Sequence, residues 1–377
     1  MSGRRVLVIA EGQLGDLLLL TPALRALKSS LPGSFLTVLV LQRRSYGAPG
    51  GDAGTVVNAE PRSGTSEVLS LNPHVDAVIE VDRSRLRSFK GKSRLAAEFD
   101  VIRAIRRGAF DTVICTFPED RFAVWAYISG ARVRVGQKDQ SMGWMLTHRP
   151  DIHKDRGGVL QYYCALAVAA GAVAGSVRTE FPVPEASRLR AEALLRSRGV
   201  DAGRQLVIVH PGASGAHRVW PPERFAGVID VIQKRTDARV VLCGTAFDQV
   251  VVQAVVEKAK TAVTVVTLGE SVADFAGLLS GASLCLSNDS GPRHLAVAVG
   301  TPSIALMPKH NDKAWNIYGN DIRTSTFAGT STCPVCPADR CRDVVPEGER
   351  YGSHCLRMIS MDDVIVRALE VLALPRP

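Results

Sequence analysis

The sequence lacks a run of apolar residues long enough to cross a lipid bilayer. The longest, from Tyr162 to Gly175, has 14 residues, whereas a membrane-spanning helix needs about 20. The first residues hold two arginines and only a five-residue apolar run before Glu11, which is unlike a signal peptide. We therefore expect a cytoplasmic protein whose contact with membranes, if it has any, is peripheral.

Aromatic residues are also scarce, at 6% of the 377 residues. Few of them interleave the basic residues, as the stacking platforms of a nucleic-acid-binding protein would, so we do not expect nucleic acid as a partner. The hydrophobic content of 46% excludes a disordered chain. At roughly 150 residues per domain, the length favours two domains.

Positive charge is concentrated in the first half of the chain. Residues 1–175 hold 23 Lys and Arg against 16 Asp and Glu, while the remainder holds 23 against 21. Nine basic and two acidic residues lie between Arg83 and Arg107. Such a segment attracts anions such as phosphorylated glycans or an acidic membrane surface. For any single arginine, a solvated helix face is the alternative.

Short apolar runs alternate with helix-length segments along both halves of the chain. In the first half these runs are Val6–Ala10, Phe35–Leu41, Ala77–Val81 and Thr112–Phe117. The pattern starts again at Leu206, after a proline-bearing join. Strands separated by helices form parallel sheets. We predict an α/β protein with two Rossmann-like domains, residues 1–175 and 176–377, whose parallel sheets face a central cleft.

The strongest local pattern is SNDSGPRHLAVAVGTPSIALM, from Ser287 to Met307. A strand, a polar turn and a helix start near Ser290 follow one another. Free backbone N–H groups at such a start bind phosphate, Gly291 allows close approach, and His294 lies one turn into the helix. Alternatively, Asp289 or Ser290 only caps the helix.

Three other positions follow predicted strands. GTAFDQ, from Gly244 to Gln249, is a second helix start of similar type. Arg218, in HPGASGAHRVWPPERF, could neutralise a departing diphosphate, or it is a surface arginine. Asp16 follows the first strand and is either a general base or a helix cap.

In their order, RRVLVIAEGQLGDLLLLTPALRAL, HPGASGAHRVWPPERF and SNDSGPRHLAVAVGTPSIAL resemble glycosyltransferase family 9, the family of the ADP-heptose:lipopolysaccharide heptosyltransferases. The resemblance spans nearly the whole chain. It implies a GT-B fold and an inverting, metal-independent transfer from a nucleotide-activated sugar without a cofactor. The donor would bind the C-terminal domain, and the acceptor would bind the N-terminal domain.

The resemblance also implies roles for single residues. Asp16 matches the proposed base that deprotonates the acceptor hydroxyl, and Arg218 falls where the family usually has the lysine that meets the donor phosphates. The residues implied in donor binding are Arg218, Gly244, Thr245, Asp289, Ser290, Gly291 and His294. Many relatives carry Lys or Arg where this chain has Ala10, and the loop from Arg44 to Glu67 is long for the family.

We therefore expect transfer of heptose from ADP-heptose onto a lipopolysaccharide core or a related surface glycan, at the inner face of the membrane. The expected partners are an ADP-linked nucleotide sugar and an anionic glycolipid or glycan. One alternative is a nucleotide-sugar epimerase or hydrolase of the same fold, which needs a carboxylate pair around the sugar. The other is a non-catalytic nucleotide-sugar-binding protein, for which Asp16 would be dispensable.

Four of the eight cysteines lie close together near the C-terminus: Cys333, Cys336, Cys341 and Cys355. A CxxC pair with two further thiols resembles a structural zinc site, although a second CxxC is missing. Free thiols in a cytosolic loop are the expected state.

Overall fold

The computed structural model describes residues 3–42, 57–58, 64–83, 86, 91–200, 203–309, 312–319, 321–329 and 345–375. The chain forms two compact units, Met1–Phe181 and Pro182–Pro377. Within the described ranges, no helix is long and apolar enough to span a membrane.

The N-terminal unit is built on a six-stranded sheet. Its strands are β1 (Arg5–Glu11), β2 (Phe35–Gln42), β3 (Val57–Asn58), β4 (Ala77–Asp82), β5 (Thr112–Cys115) and β6 (Val133–Val135). The spatial order is β3-β4-β2-β1-β5-β6. All neighbours are parallel except β3, which pairs with β4 in the antiparallel direction. The predicted parallel sheet therefore gains one short antiparallel edge strand.

Helices connect these strands and cover the sheet. They are α1 (Leu14–Ser30), α2 (Glu67–Ser70), α3 (Gly91–Arg107), α4 (Asp120–Ile128), α5 (Lys154–Gly157) and α6 (Val159–Ala169). Every residue of β5 is buried, as expected for a strand covered on both faces. The core includes Leu7 and Ile9 of β1 and Trp125 of α4.

The C-terminal unit contains a second six-stranded sheet. Its strands are β7 (Leu206–His210), β8 (Arg239–Gly244), β9 (Thr264–Thr267), β10 (Leu284–Asn288), β11 (Ser303–Met307) and β12 (Thr324–Ala328). The order is β12-β11-β10-β7-β8-β9 and every pair is parallel. This is the strand order of the doubly wound Rossmann fold.

The helices of this unit alternate with its strands and then continue past β12. They are α7 (Glu185–Ser197), α8 (Pro222–Arg235), α9 (Gln249–Lys258), α10 (Val272–Ser280), α11 (Gly291–Val299), α12 (Asp312–Trp315), α13 (His354–Arg357) and α14 (Met361–Leu372). Trp220 and Phe225 pack edge to face in the core, with ring centroids 5.2 Å apart.

In each sheet the strand order reverses at the first strand of the unit, β1 or β7. This reversal point shows at which edge a ligand is expected to bind. In the C-terminal unit, β7 lies between β8 and β10. Crevices at such reversal points, outside the carboxyl ends of the strands, are where ligands bind. The loop after His210 and the turn after Asn288 therefore occupy the expected ligand edge.

Two predicted features lie wholly or mostly outside the described residues. From the stretch between Arg44 and Glu67, only residues 57–58 and 64–67 are described. Cys333, Cys336 and Cys341 lie outside as well, so the zinc site stays an untested expectation. Cys355, at the second position of α13, is a buried free thiol.

Candidate active site

Asp16 lies in the first turn of α1, just after the carboxyl end of β1. The N-cap position of this helix is taken by Gln13, so Asp16 does not cap it. Instead, Oδ1 of Asp16 accepts a hydrogen bond of 2.9 Å from the hydroxyl of Tyr163 on α6. The carboxylate is therefore held by a second helix at the sheet edge where ligands bind in such folds.

A lysine stands next to this pair. Nζ of Lys154, the first residue of α5, lies 3.5 Å from the hydroxyl of Tyr163. The ammonium also lies over the rings of Phe117, Tyr162 and Tyr163, at 4.4, 5.3 and 5.1 Å from their centroids. Cation–π attraction to three rings fixes the position of the charge. The chain thus places a cation beside Asp16 although position 10 is Ala.

The surroundings shift the protonation of all three groups. Burial raises the pKa of Asp16, while the charge of Lys154 and the Tyr163 hydrogen bond act against this and nearby Glu11 adds to it. Burial also raises the pKa of Tyr163 well above its ordinary value. Its hydroxyl therefore stays protonated and is the donor in the hydrogen bond to Asp16. Burial lowers the pKa of Lys154, against the attraction of Asp16 and Glu11. A carboxylate with a raised pKa is suited to accept a proton near neutral pH.

Arg83 lies in the same unit but does not contribute an anion-binding surface. It is buried and forms ion pairs with Glu11 at the end of β1 and with Glu119. The sequence placed Arg83 in a basic segment that attracts anions, and this is wrong for Arg83, because two carboxylates already neutralise its guanidinium. The solvent-facing charge of that segment therefore comes from other residues.

In the C-terminal unit, Asp289 forms the centre of a second cluster of charges. Its carboxylate accepts hydrogen bonds from Arg218, at 3.0 Å, and from Arg293, at 3.1 Å. The side chain of Arg218 is 27% exposed, whereas those of Arg293 and Asp289 are buried. Nε of Arg218 is buried and has no hydrogen-bond partner in the described part of the chain. Arg218 therefore retains an unused donor at the ligand edge.

Ser290 occupies the N-cap position of α11, as the capping alternative expected, but its hydroxyl donates to the carbonyl of Asn288 at 3.3 Å. The next residue, Gly291, begins the helix, and Pro292 has no N–H group. The first N–H groups of a helix have no acceptor within it. The amides of Ser290 and Gly291 are consequently the backbone donors that this helix start offers to an anion.

His294 is buried one turn into α11, and its Nδ1 lies 2.8 Å from the hydroxyl of Tyr318. Burial, together with the charge of Arg293, lowers the pKa of His294 to about 3. The imidazole is therefore neutral at physiological pH. It shapes the site by packing and hydrogen bonding and adds no positive charge.

Gly244 and Thr245 lie at the carboxyl end of β8, where Thr245 starts a single helical turn. Its N–H and its hydroxyl both donate to Oδ2 of Asp248, at 2.9 and 2.7 Å. The same carboxylate oxygen lies 3.7 Å from Nε2 of buried His210. A Cβ at Gly244 would come within 2.8 Å of Asp248, so only glycine fits this turn.

Asn288, the last residue of β10, is bonded to both ends of the loop that follows β7. Its Nδ2 donates to the carbonyl of Pro211 at 2.6 Å, and its Oδ1 accepts from the Trp220 backbone at 2.9 Å. All seven residues implied in donor binding therefore lie at one edge of the C-terminal sheet, and Arg218 and Asp289 are in direct contact.

Sequence reasoning missed several residues that shape the two clusters: Glu11, Lys154, Tyr163, Asp248, Asn288, Arg293 and Tyr318. Asp248 and Arg293 lie within four residues of predicted positions, so helical spacing offered a signal for them. Lys154 and Tyr163 lie far from Asp16 in the chain, and no short pattern joins them.

One further group could in principle hold a metal ion among the described residues. Ligand atoms of Asp139, Asp151 and His153 lie within 4.8 Å of one another. Lys138 already pairs with Asp151 at 3.3 Å, and both aspartates are exposed. This cluster is explained as a surface network of ion pairs.

The sequence of residues 99–335, more than half of the chain, matches the profile of glycosyltransferase family 9 (heptosyltransferase). The chain belongs to this family. It is a glycosyltransferase, which decides against the epimerase, hydrolase and binding-protein alternatives. Over 313 residues, the chain is 24% identical to lipopolysaccharide heptosyltransferase 3 from Escherichia coli. The aligned region covers 82% of this chain and 84% of that protein.

Solved structures share the fold. A family 9 glycosyltransferase from Veillonella parvula superposes with a TM-score of 0.75 at 23% identity, covering 99% of this chain and 98% of the other. The ADP-heptose lipopolysaccharide heptosyltransferase II from Escherichia coli gives a TM-score of 0.71 at 15% identity, covering 98% of each chain. The predicted GT-B class, two parallel-sheet α/β domains, is confirmed.

Proposed function

We propose that this family 9 enzyme transfers heptose from ADP-heptose to a lipopolysaccharide core acceptor, with inversion at the anomeric carbon and without a metal ion. The observation that carries the proposal is the Arg218–Asp289 contact beside the start of α11. It puts a guanidinium with an unused buried donor next to the amides of Ser290 and Gly291. Supporting it, two of the similar proteins, lipopolysaccharide heptosyltransferase 3 and the solved heptosyltransferase II, carry heptosyltransferase names.

On the donor side, this cluster is suited to a nucleoside diphosphate. Arginine binds phosphate oxygens through a planar set of N–H donors, and a helix N-terminus adds amides and a favourable dipole. When the bond between the anomeric carbon and the diphosphate breaks, its electron pair stays on the diphosphate. Arg218 and the helix amides stabilise that charge, a role that a divalent cation has in metal-dependent phosphate chemistry.

On the acceptor side, Asp16 is the proposed general base. The acceptor hydroxyl attacks the anomeric carbon from the face opposite the diphosphate, and its proton passes to the carboxylate of Asp16. Tyr163 holds Oδ1 of that carboxylate, which leaves Oδ2 for the incoming proton. Lys154 favours the ionised form of Asp16 before the proton arrives.

A thermal-shift panel tests the donor assignment first. Purified protein is melted with ADP, UDP, GDP, CDP or dTDP, because a ligand that binds the native state raises Tm by mass action. We expect ADP to give the largest rise, and Arg218→Gln to reduce it. Preference for another nucleotide would reject ADP-heptose as the donor and leave the glycosyltransferase activity standing. No response to any nucleotide would contradict the donor site.

A further inference from the structure

The outward face of α3 carries two large exposed apolar side chains next to its arginines. Ala97, Val101 and Ile105 turn inward and belong to the core of the N-terminal unit. On the opposite side of the helix, Leu95 is 72% exposed and Phe99 is 59% exposed. Residues four apart lie on one face of a helix, so these two side chains form an uncovered apolar ridge.

A groove runs beside this ridge. Its volume is about 590 Å³, and its lining combines apolar and basic side chains: Phe99, Ile102, Arg103, Arg106 and Arg107 from α3 with Ile128 from α4. The guanidinium of Arg103 lies over the ring of Phe99, with its carbon 5.4 Å from the centroid. Three guanidinium groups thus surround an apolar floor.

The acidic residues of α3 do not cancel this charge. Glu98 is turned toward α4, where it pairs with Arg121 at 3.3 Å and accepts from the indole of Trp125 at 3.1 Å. Asp100 reaches Arg103 only at 4.0 Å. The groove therefore presents a net positive charge to solvent.

We propose that the α3 face, defined as Leu95, Phe99, Arg103, Arg106 and Arg107, docks the enzyme on the surface of an anionic phospholipid bilayer. Leu95 and Phe99 enter the headgroup region, and the arginines contact lipid phosphates, as in interfacial amphipathic helices. The choice of a bilayer follows from the combination of the two features. A polyanion such as nucleic acid would use the arginines and leave the apolar ridge in water.

This inference rests on the proposed function in one respect only, namely that a lipid-linked acceptor gives the docking its purpose. The acceptor would be presented at the bilayer that the N-terminal unit contacts. The docking itself is a property of α3 and is measured without any transfer reaction.

Co-sedimentation with vesicles tests the docking. We compare vesicles of phosphatidylglycerol and phosphatidylcholine, mixed equally, with pure phosphatidylcholine, at low and high salt. The unmodified enzyme should bind the anionic vesicles at least about tenfold more tightly, and salt should weaken binding because it screens exposed charges. The double variants Leu95→Ser/Phe99→Ser and Arg103→Gln/Arg106→Gln should each lose about tenfold in vesicle affinity.

A matched control comes from α7 of the other unit, which also carries an exposed leucine and arginine. The variant Leu189→Ser/Arg196→Gln should bind vesicles like the unmodified enzyme. Melting temperatures of all variants establish that they are folded. Transfer to a delipidated core oligosaccharide should be unchanged in the α3 variants, so a failure of the heptosyl assignment would leave the vesicle result standing.

Three results would overturn the proposal. The first is equal binding to neutral and anionic vesicles. The second is unaltered binding by both α3 variants. The third is loss of binding by the arginine variant alone. Attraction between the arginines and the anionic surface would then explain the binding without insertion of Leu95 and Phe99.

Discussion

Tyr163 donates its phenolic hydrogen to Oδ1 of Asp16 over 2.9 Å, between residues 147 positions apart in the chain. The bond joins the first turn of α1 to α6, and Lys154 stands at 3.5 Å from the same hydroxyl. The carboxylate is therefore oriented by one neighbour and electrostatically tuned by another. Both effects have measurable consequences.

Replacement of Lys154 by Met should move the acidic limb of the pH profile of kcat/KM to higher pH. Burial raises the pKa of Asp16 and the charge of Lys154 opposes that rise, so removal of the charge raises the pKa further. At a pH on the acidic limb, each unit of displacement lowers the ionised fraction about tenfold. Tyr163→Phe should shift the limb in the same direction, because it removes a hydrogen bond to the carboxylate.

Lys154→Arg is the control for this prediction, because it keeps the positive charge. It should retain most of the original profile. Equal acidic limbs for the unmodified enzyme and Lys154→Met would show that the ammonium only fills space among the three aromatic rings.

Replacement of Arg218 by Lys should raise the KM for the nucleotide sugar about tenfold or more. The charge survives, but lysine lacks the planar donors that meet phosphate oxygens and Asp289 together, and hydrogen bonds to charged groups contribute about 1.5–3 kcal/mol. Steady-state kinetics with varied donor measure the effect. Arg198→Lys, in the same unit but bonded to the carbonyl of Val265, should be neutral, and an unchanged KM for Arg218→Lys would remove Arg218 from the donor site.

Replacement of Arg293 by Met should destabilise the fold more than it affects the site. Arg293 and Asp289 form a buried ion pair, and removal of one partner from such a pair costs about 3–5 kcal/mol. Because Arg218 still pairs with Asp289, we expect the lower end of that range. The exposed pair of Arg190 and Asp274 offers the comparison, since surface pairs contribute about 0–1 kcal/mol. Urea unfolding should give a much lower midpoint for Arg293→Met than for Arg190→Met; similar midpoints would contradict the assignment.

The alternation of apolar runs and helical segments predicted both sheets, because parallel strands are buried on both faces and therefore read as continuous apolar runs. The predicted strand Val6–Ala10 lies inside β1, and the predicted helix start at Ser290 coincides with the N-cap of α11. Three edge strands, β3, β6 and β12, were not predicted, because β3 and β6 are only two and three residues long and β12 is mostly polar.

The surroundings of the predicted site residues could not be read from the sequence. Composition assigns Arg83 to a basic segment, but only the fold shows that it turns inward to Glu11 and Glu119. Tyr163 lies in an apolar run that reads as core, and its hydroxyl reaches Asp16 only through the packing of α6 near α1. Such long-range pairs are products of tertiary structure.

The proposed base is tested most directly by the rate of heptose transfer from ADP-heptose to lipopolysaccharide core in the unmodified enzyme and in Asp16→Asn. Asparagine keeps the size of the side chain and an oxygen for Tyr163, but it cannot accept the proton. We expect kcat to fall about 10²–10⁴-fold, the usual contribution of a general base, while the ADP-induced rise in Tm is unchanged. Full transfer activity of Asp16→Asn would contradict the assignment of Asp16 as the base.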